Sequence, residues 1–102
     1  MHKSLHNRPN EIYLSLLRDK RLSRKLRQAD LAVRLGRTQG VVSRVESGER
    51  RLDIVELWAW LNALDTDVVS FVRQLDRRLR SAAADAGARG LSVPGTKRAT
   101  NS

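Results

Sequence analysis

The side chains best suited to chemistry in this sequence are amides and guanidiniums between Gln28 and Arg44. Gln39 and Arg44 can each form two hydrogen bonds to one base edge in the major groove of DNA, plausibly Gln39 with adenine and Arg44 with guanine. Catalytic chemistry has no comparable candidates, because the chain has no cysteine and only two histidines. With no nucleophile–base pair to assemble, we expect that the protein is not an enzyme.

Two short helices must position these side chains. The first, Gln28–Leu35, carries Leu31 and Leu35 on one face, and Gly36 follows where a helix stops in the left-handed conformation. Thr38 is placed to cap the second helix, which we predict over residues 38–46. Its valines at 41, 42 and 45 would point inward, and a second stop glycine, at position 48, follows.

These residues resemble the Cro/repressor-type (XRE) family of helix-turn-helix DNA-binding proteins. The matching pattern is Gln28-x-x-Leu31-Ala32, Leu35-Gly36, Thr38-Gln39, Ser43 and Glu46-x-Gly48, within a resemblance over roughly residues 12–75. An αα-hairpin used only for packing would explain the leucines and glycines. It would not explain why Gln28, Gln39 and Arg44 all point outward. The resemblance implies an all-α fold: a compact five-helix, repressor-like domain containing the helix-turn-helix.

The resemblance also implies a set of site residues. Base readout is expected from Thr38, Gln39, Gly40, Ser43 and Arg44, and phosphate contacts from Arg27, Gln28, Arg37, Arg50 and Arg51. A partly buried structural ion pair is expected between Arg21 and Glu46, with Glu46 serving no catalytic role. Four positions depart from the family pattern. Lys25 and Asp65 each replace a glycine, Arg27 replaces Ser or Thr, and Gly40 stands where the family carries a side chain.

The charge is strongly basic and uneven. The net charge is +9, and basic residues outnumber acidic ones by seven between Arg18 and Arg51. Such a local excess is typical of a surface over a phosphate backbone. A basic helix on a membrane surface is the other interpretation, but residues 24–27 lack the bulky apolar face that this requires.

Other partners and sites are not expected. The apolar runs are far too short to span a membrane and there is no signal peptide, so we expect a cytoplasmic, nucleoid-associated protein. We expect no cofactor. We also expect no metal site, because His2 and His6 have neither a helix nor a carboxylate near them.

The remaining sequence predicts three more helices. One runs from Glu11 to about Leu22, capped by Asn10. A fourth opens with an Asp53–Glu56 capping box and carries an inward stripe of Ile54, Leu57, Trp60, Leu61 and Leu64, with Trp58 at its margin as either a dimer contact or a lid on the core. The fifth, capped by Asp67, carries an inward stripe of Val68, Val72, Leu75 and Leu79, with Phe71 alongside.

The predicted organisation is a flexible arm (residues 1–9), a DNA-binding domain (10–80) and a disordered basic tail (81–102). The favoured function is a sequence-specific, repressor-like regulator of transcription that binds a palindromic double-stranded operator as a homodimer. The alternative, from another class, is an antitoxin or protein-interaction module whose fifth helix and tail bind a partner protein.

Overall fold

A computed structural model describes residues 8–85. This part of the chain folds into five helices and contains no strand, which confirms the predicted all-α architecture. The helices are α1 (Arg8–Ser23), α2 (Gln28–Leu35), α3 (Gln39–Glu46), α4 (Ile54–Ala63) and α5 (Val68–Asp85). None of them is both long and apolar enough to cross a membrane. Residues 1–7 of the expected arm and 86–102 of the expected tail lie outside the described residues.

All five helices contribute to one apolar core. The ring of Phe71 is fully buried and meets the ring of Tyr13 edge-on, with 6.2 Å between their centroids. Burying these large side chains is the main stabilising term of so small a domain. The fully buried members of the core are Leu16, Leu17, Leu31, Val42, Val45, Leu61, Leu64 and Phe71.

Two predicted core positions are wrong. Ile54 is 66% exposed and Val72 is 46% exposed. Ile54 is the first residue of α4 and lies at the edge of the domain, so the buried stripe of this helix starts only at Leu57. On α5 the inward face is centred on Phe71, with Leu75 one turn further on, and this rotation carries the neighbouring Val72 outward.

The helix ends follow local rules, with two differences from prediction. α1 begins at Arg8, so Pro9 lies in its first turn, where no backbone N–H is required, and Asn10 lies inside the helix instead of capping it. α5 continues past residue 80 to Asp85, through three alanines that favour helix. Its start agrees with prediction: the Asp67 carboxylate accepts a hydrogen bond from the Ser70 N–H at 2.9 Å.

Two residues other than glycine adopt the left-handed conformation among residues 8–85, each just after a helix. Lys25, in the α1–α2 connection, has φ +60°, and Asp65, after α4, has φ +53°. Lys25 therefore adopts the conformation that a glycine would adopt without strain. The loop that this residue closes sets the angle between α1 and α2.

Candidate nucleic-acid interface

Two nearby residues define the turn between α2 and α3: one ends α2 and the other caps the start of α3. Gly36 has φ +69° and ends α2, as predicted. Thr38 is extended and its hydroxyl accepts a hydrogen bond from the Val41 N–H at 3.3 Å. Because Thr38 is the cap, α3 starts at Gln39, one position after the predicted start.

α3 separates an apolar back from a polar front. Val42 and Val45 are buried, whereas Gln39 and Arg44 are exposed. Ser43 is half-buried beside them. Arg44 makes no ion pair with any residue in the described range. The front of α3 thus presents one accessible amide and one accessible guanidinium, the two groups best able to make paired hydrogen bonds to bases.

Gly40 lies on the same front of α3. A β-carbon built there would lie 3.4 Å from Arg44 Nη1 and 3.9 Å from Thr38 Oγ1, both ordinary contact distances. Nothing within the free chain therefore requires glycine at this position.

Arg21 and Glu46 form a bidentate ion pair behind α3. Arg21 Nε lies 2.7 Å from Glu46 Oε2, and Arg21 Nη2 lies 2.9 Å from Glu46 Oε1. Each residue is only 7% exposed. Arg21 Nη1 also donates to the carbonyl of Leu26 at 2.8 Å. One guanidinium therefore fixes the end of α1, the α1–α2 loop and the end of α3 relative to one another.

A chain of amides connects this buried pair to the front of α3. Gln28 Nε2 donates to Glu46 Oε1 at 3.0 Å, and Gln39 Nε2 donates to Gln28 Oε1 at 2.7 Å. The sequence placed Gln28 at the start of α2 but did not predict these contacts. Their effect is to hold the Gln39 side chain in one orientation while its Oε1 remains an acceptor with no donor among residues 8–85.

The side chain of Arg27 is paired within the chain. Its Nε and Nη2 donate to the two Asp30 carboxylate oxygens at 3.0 and 2.9 Å, and its backbone N–H donates to Asp30 Oδ2 at 2.8 Å. The hydrogen bond from the Arg27 side chain, followed by that from its N–H, lowers the pKa of Asp30 to about 2. Asp30 thereby supplies one half of a capping box at the start of α2, and Arg27, which has no acceptor atom, cannot supply the other.

Two other phosphate candidates share one carboxylate. Arg50 Nη2 lies 3.1 Å from Glu56 Oε2, and Arg37 Nη2 lies 3.9 Å from the same oxygen. Glu56 also completes the predicted capping box with Asp53, and the hydrogen bond from the Asp53 N–H is the first cause of its lowered pKa. Arg51 is exposed and makes no ion pair with any described residue.

Part of the basic excess has a structural use that the sequence did not reveal. Arg24 donates to the carbonyls of Leu64 and Asp65 at 2.9 and 2.7 Å, and Arg34 donates to the carbonyl of Ala63 at 2.8 Å. These arginines cap the carbonyl end of α4, where positive charge is favourable. They are therefore not free to serve as phosphate contacts without loss of this cap.

Within residues 8–85, no group of three or more histidine, cysteine or carboxylate side chains could hold a metal ion. The two histidines considered in the sequence lie outside this range.

Comparisons with known proteins identify the family. A family model described as helix-turn-helix matches residues 17–71. A solved structure of an XRE-family like protein from Pseudomonas syringae pv. tomato str. DC3000 is 36% identical, covers 74% of this chain and 93% of its own, and superposes with a TM-score of 0.67. No curated protein matches the chain. The chain therefore belongs to the XRE family of helix-turn-helix proteins, which are DNA-binding regulators of transcription.

Proposed function

We propose that this protein is a sequence-specific, repressor-like regulator that inserts α3 into the major groove of its operator. The observation that carries the proposal is the pair of accessible readout groups on α3. Gln39 is oriented by Gln28, and Arg44 has no ion-pair partner within residues 8–85. A preoriented amide and an uncommitted guanidinium suit paired hydrogen bonds to adenine and guanine, respectively. Thr38, Gly40 and Ser43 complete the surface that lies against the bases.

Phosphate contacts would fix the register of α3 on the duplex. The candidates are Arg51, which makes no ion pair within residues 8–85, and four residues that already have intramolecular partners: Arg27, Gln28, Arg37 and Arg50. Arg27 and Arg37 can still contact a phosphate, because each uses only part of its guanidinium for the carboxylate. Arg50 has less to offer in this arrangement, because its Nη1 is buried. Since they are partly neutralised, we expect the salt dependence of binding to be smaller than the net charge of +9 implies.

The operator is expected to be palindromic and the protein a homodimer on it. A single eight-residue recognition helix reads only a few base pairs, so a second copy is needed for useful specificity. Two copies related by a twofold axis would bind half-sites about 34 Å apart, or a multiple of that spacing.

A second candidate function is binding of a partner protein through α5, as an antitoxin would. The observation in its favour is the pair of apolar side chains left exposed on this helix, Val69 at 55% and Val72 at 46%. In that case the exposed face of α5 would be essential for function, and DNA binding by the front of α3 would be secondary.

Alanine variants separate these functions. Gln39→Ala and Arg44→Ala should each reduce the preference for operator over scrambled duplex by about 1–3 kcal/mol. The matched control is Arg73→Ala, which removes an exposed arginine of α5 that has no ion pair among described residues. Binding is measured by fluorescence anisotropy on both duplexes at near-physiological salt. An equal loss on both duplexes, or none, would contradict a reading role for α3.

A further inference from the structure

Among the five helices, α4 has the most large apolar side chains exposed to solvent. The exposed residues of this helix are uncharged. Val55 is 70% exposed, Trp58 is 56% exposed and Ile54 is 66% exposed. Ala59 is also exposed, one turn after Val55 on the same side of the helix. Exposed apolar residues are common singly, but an exposed tryptophan adjoining exposed aliphatic side chains forms a contiguous patch, which is typical of a binding surface.

A groove lies on the side of α4 that carries Val55 and Ala59. It has a volume of about 260 Å³ and is lined by Leu35, Leu52, Val55, Ala59 and Trp60. A cavity of about 150 Å³ accommodates a benzene ring, so this groove is large enough for an indole. Three charged side chains also line it: Glu56 is paired with Arg37 and Arg50, whereas Asp53 caps α4 and has no ion-pair partner among residues 8–85.

We propose that the α4 face is the homodimer interface, with Trp58 of each copy packed into the groove beside Val55 and Ala59 of the other. This deepens the proposed function, which requires a twofold dimer, by naming the surface that forms it. A large side chain next to a groove of matching size on the same helix is self-complementary. A twofold axis needs that property, since each copy must offer the same surface to the other.

The charge distribution favours α4 over α5 as the contact between copies. The exposed Val69 and Val72 of α5 are followed by Arg73 and Arg77, which are exposed and make no ion pair within the described range. Two copies joined through α5 would bring these arginines together, and like charges at an interface are strongly unfavourable. The exposed residues within α4 are uncharged, and the exposed Asp53 at the edge of the groove is the single carboxylate without an ion pair there among the described residues.

The position of the groove also suits two copies on one operator. Its walls include Leu35 and Arg37, which lie just before α3, and Leu52, which lies in the loop after α3. A second copy bound in this groove would therefore lie beside the α2–turn–α3 unit. Both recognition helices would lie near the twofold axis, as adjacent half-sites demand.

The size of the surface sets the strength of the dimer. Ile54, Val55 and Trp58 together expose on the order of 350 Å² per copy. A stable interface buries about 800 Å² per partner, so this one should be weak in solution and form mainly when DNA holds two copies together. Binding to the two half-sites should accordingly be cooperative.

The test compares Trp58→Ala with the matched control Val72→Ala, which truncates an exposed apolar residue of α5. Sedimentation velocity of the full chain is measured up to its solubility limit, both alone and on duplexes carrying one or two half-sites. For Trp58→Ala we expect self-association to be lost and binding to the second half-site to weaken by at least about 10-fold, with one-half-site binding unchanged. Val72→Ala should behave as the wild type.

The proposal is overturned if Trp58→Ala associates like the wild type, or if Val72→Ala loses association instead. It is also overturned if the wild type stays monomeric both alone and on two half-sites, which would leave the α4 face to a different protein. Failure of the proposed function is a separate result: no duplex would be bound specifically, while sedimentation of the wild type and Trp58→Ala without DNA, near the solubility limit where a weak dimer is populated, would still report on the interface.

Discussion

Removal of one member of the Arg21–Glu46 pair should nearly unfold the domain, whereas removal of both should not. Glu46→Leu leaves the Arg21 guanidinium 7% exposed with only the Leu26 carbonyl as acceptor. An uncompensated buried charge costs about 3–5 kcal/mol. A domain of this size has a free energy of unfolding of about 4–12 kcal/mol, so the single change removes a large part of it.

The double variant Arg21→Met/Glu46→Leu replaces the pair with apolar side chains of similar length. We expect its free energy of unfolding to lie within about 1–2 kcal/mol of the wild type, because no buried charge remains. The melting temperature of Glu46→Leu should fall by more than about 12 °C, and that of the double variant by much less. The double variant should also lose DNA specificity, since Gln28 loses the Glu46 carboxylate that orients it.

The assay is urea denaturation followed by circular dichroism, with both single variants and the double variant forming one thermodynamic cycle. Asp76→Ala is the matched control. It breaks the exposed Asp76–Arg80 pair at 3.0 Å and should change stability by less than about 0.5 kcal/mol. The reasoning is refuted if Glu46→Leu costs less than about 1 kcal/mol, or if the cost of the double variant equals the sum of the single costs.

Four further changes test individual features. Lys25→Gly should raise the free energy of unfolding by about 1 kcal/mol in urea denaturation, because it removes a side chain held at φ +60°; a loss of stability would contradict this. Arg27→Ser should complete the capping box of α2 and stabilise by about 1 kcal/mol, while lowering the slope of log affinity against log salt by up to about 1; an unchanged slope would exclude Arg27 as a phosphate contact. Asp30→Asn should remove a pH dependence: the folded pKa of about 2 lies below the ordinary 3.8, so the stabilisation is complete above about pH 4 and is lost as pH falls toward 2. Stability curves of variant and wild type that remain parallel over this range would contradict the assignment. Gly40→Ala should raise the melting temperature of the free protein, because the added methyl meets only ordinary contacts; a lower melting temperature would show that the helix needs glycine there.

What the sequence predicted correctly depends on local chemistry. Gly36, Thr38 and the Asp53–Glu56 box act within a few residues of their own position, so their roles can be read from spacing. The same is true of Asp67 at the start of α5.

What the sequence missed depends on how elements approach each other. The helical repeat shows which residues share a face of α5, but only packing against α1 and α4 decides that this face centres on Phe71 and excludes Val72. Arg24 reaches the end of α4 across a sequence separation of 40 residues, so nothing near it in the sequence reveals this contact. The amide link from Gln28 to Gln39 likewise exists only once α2 and α3 are packed together.

Whether α3 reads the operator is best tested by selection of binding sites from random duplex DNA at near-physiological salt, with the wild type and Gln39→Ala/Arg44→Ala in parallel. Salt matters, because phosphate contacts alone would retain any duplex at low ionic strength. We expect the wild type to recover a twofold symmetric motif with half-sites about one helical turn apart. The variant should lose the motif but keep weak, salt-sensitive binding. A wild-type pool that stays random, or an unchanged motif with the variant, would contradict the claim that α3 reads the operator.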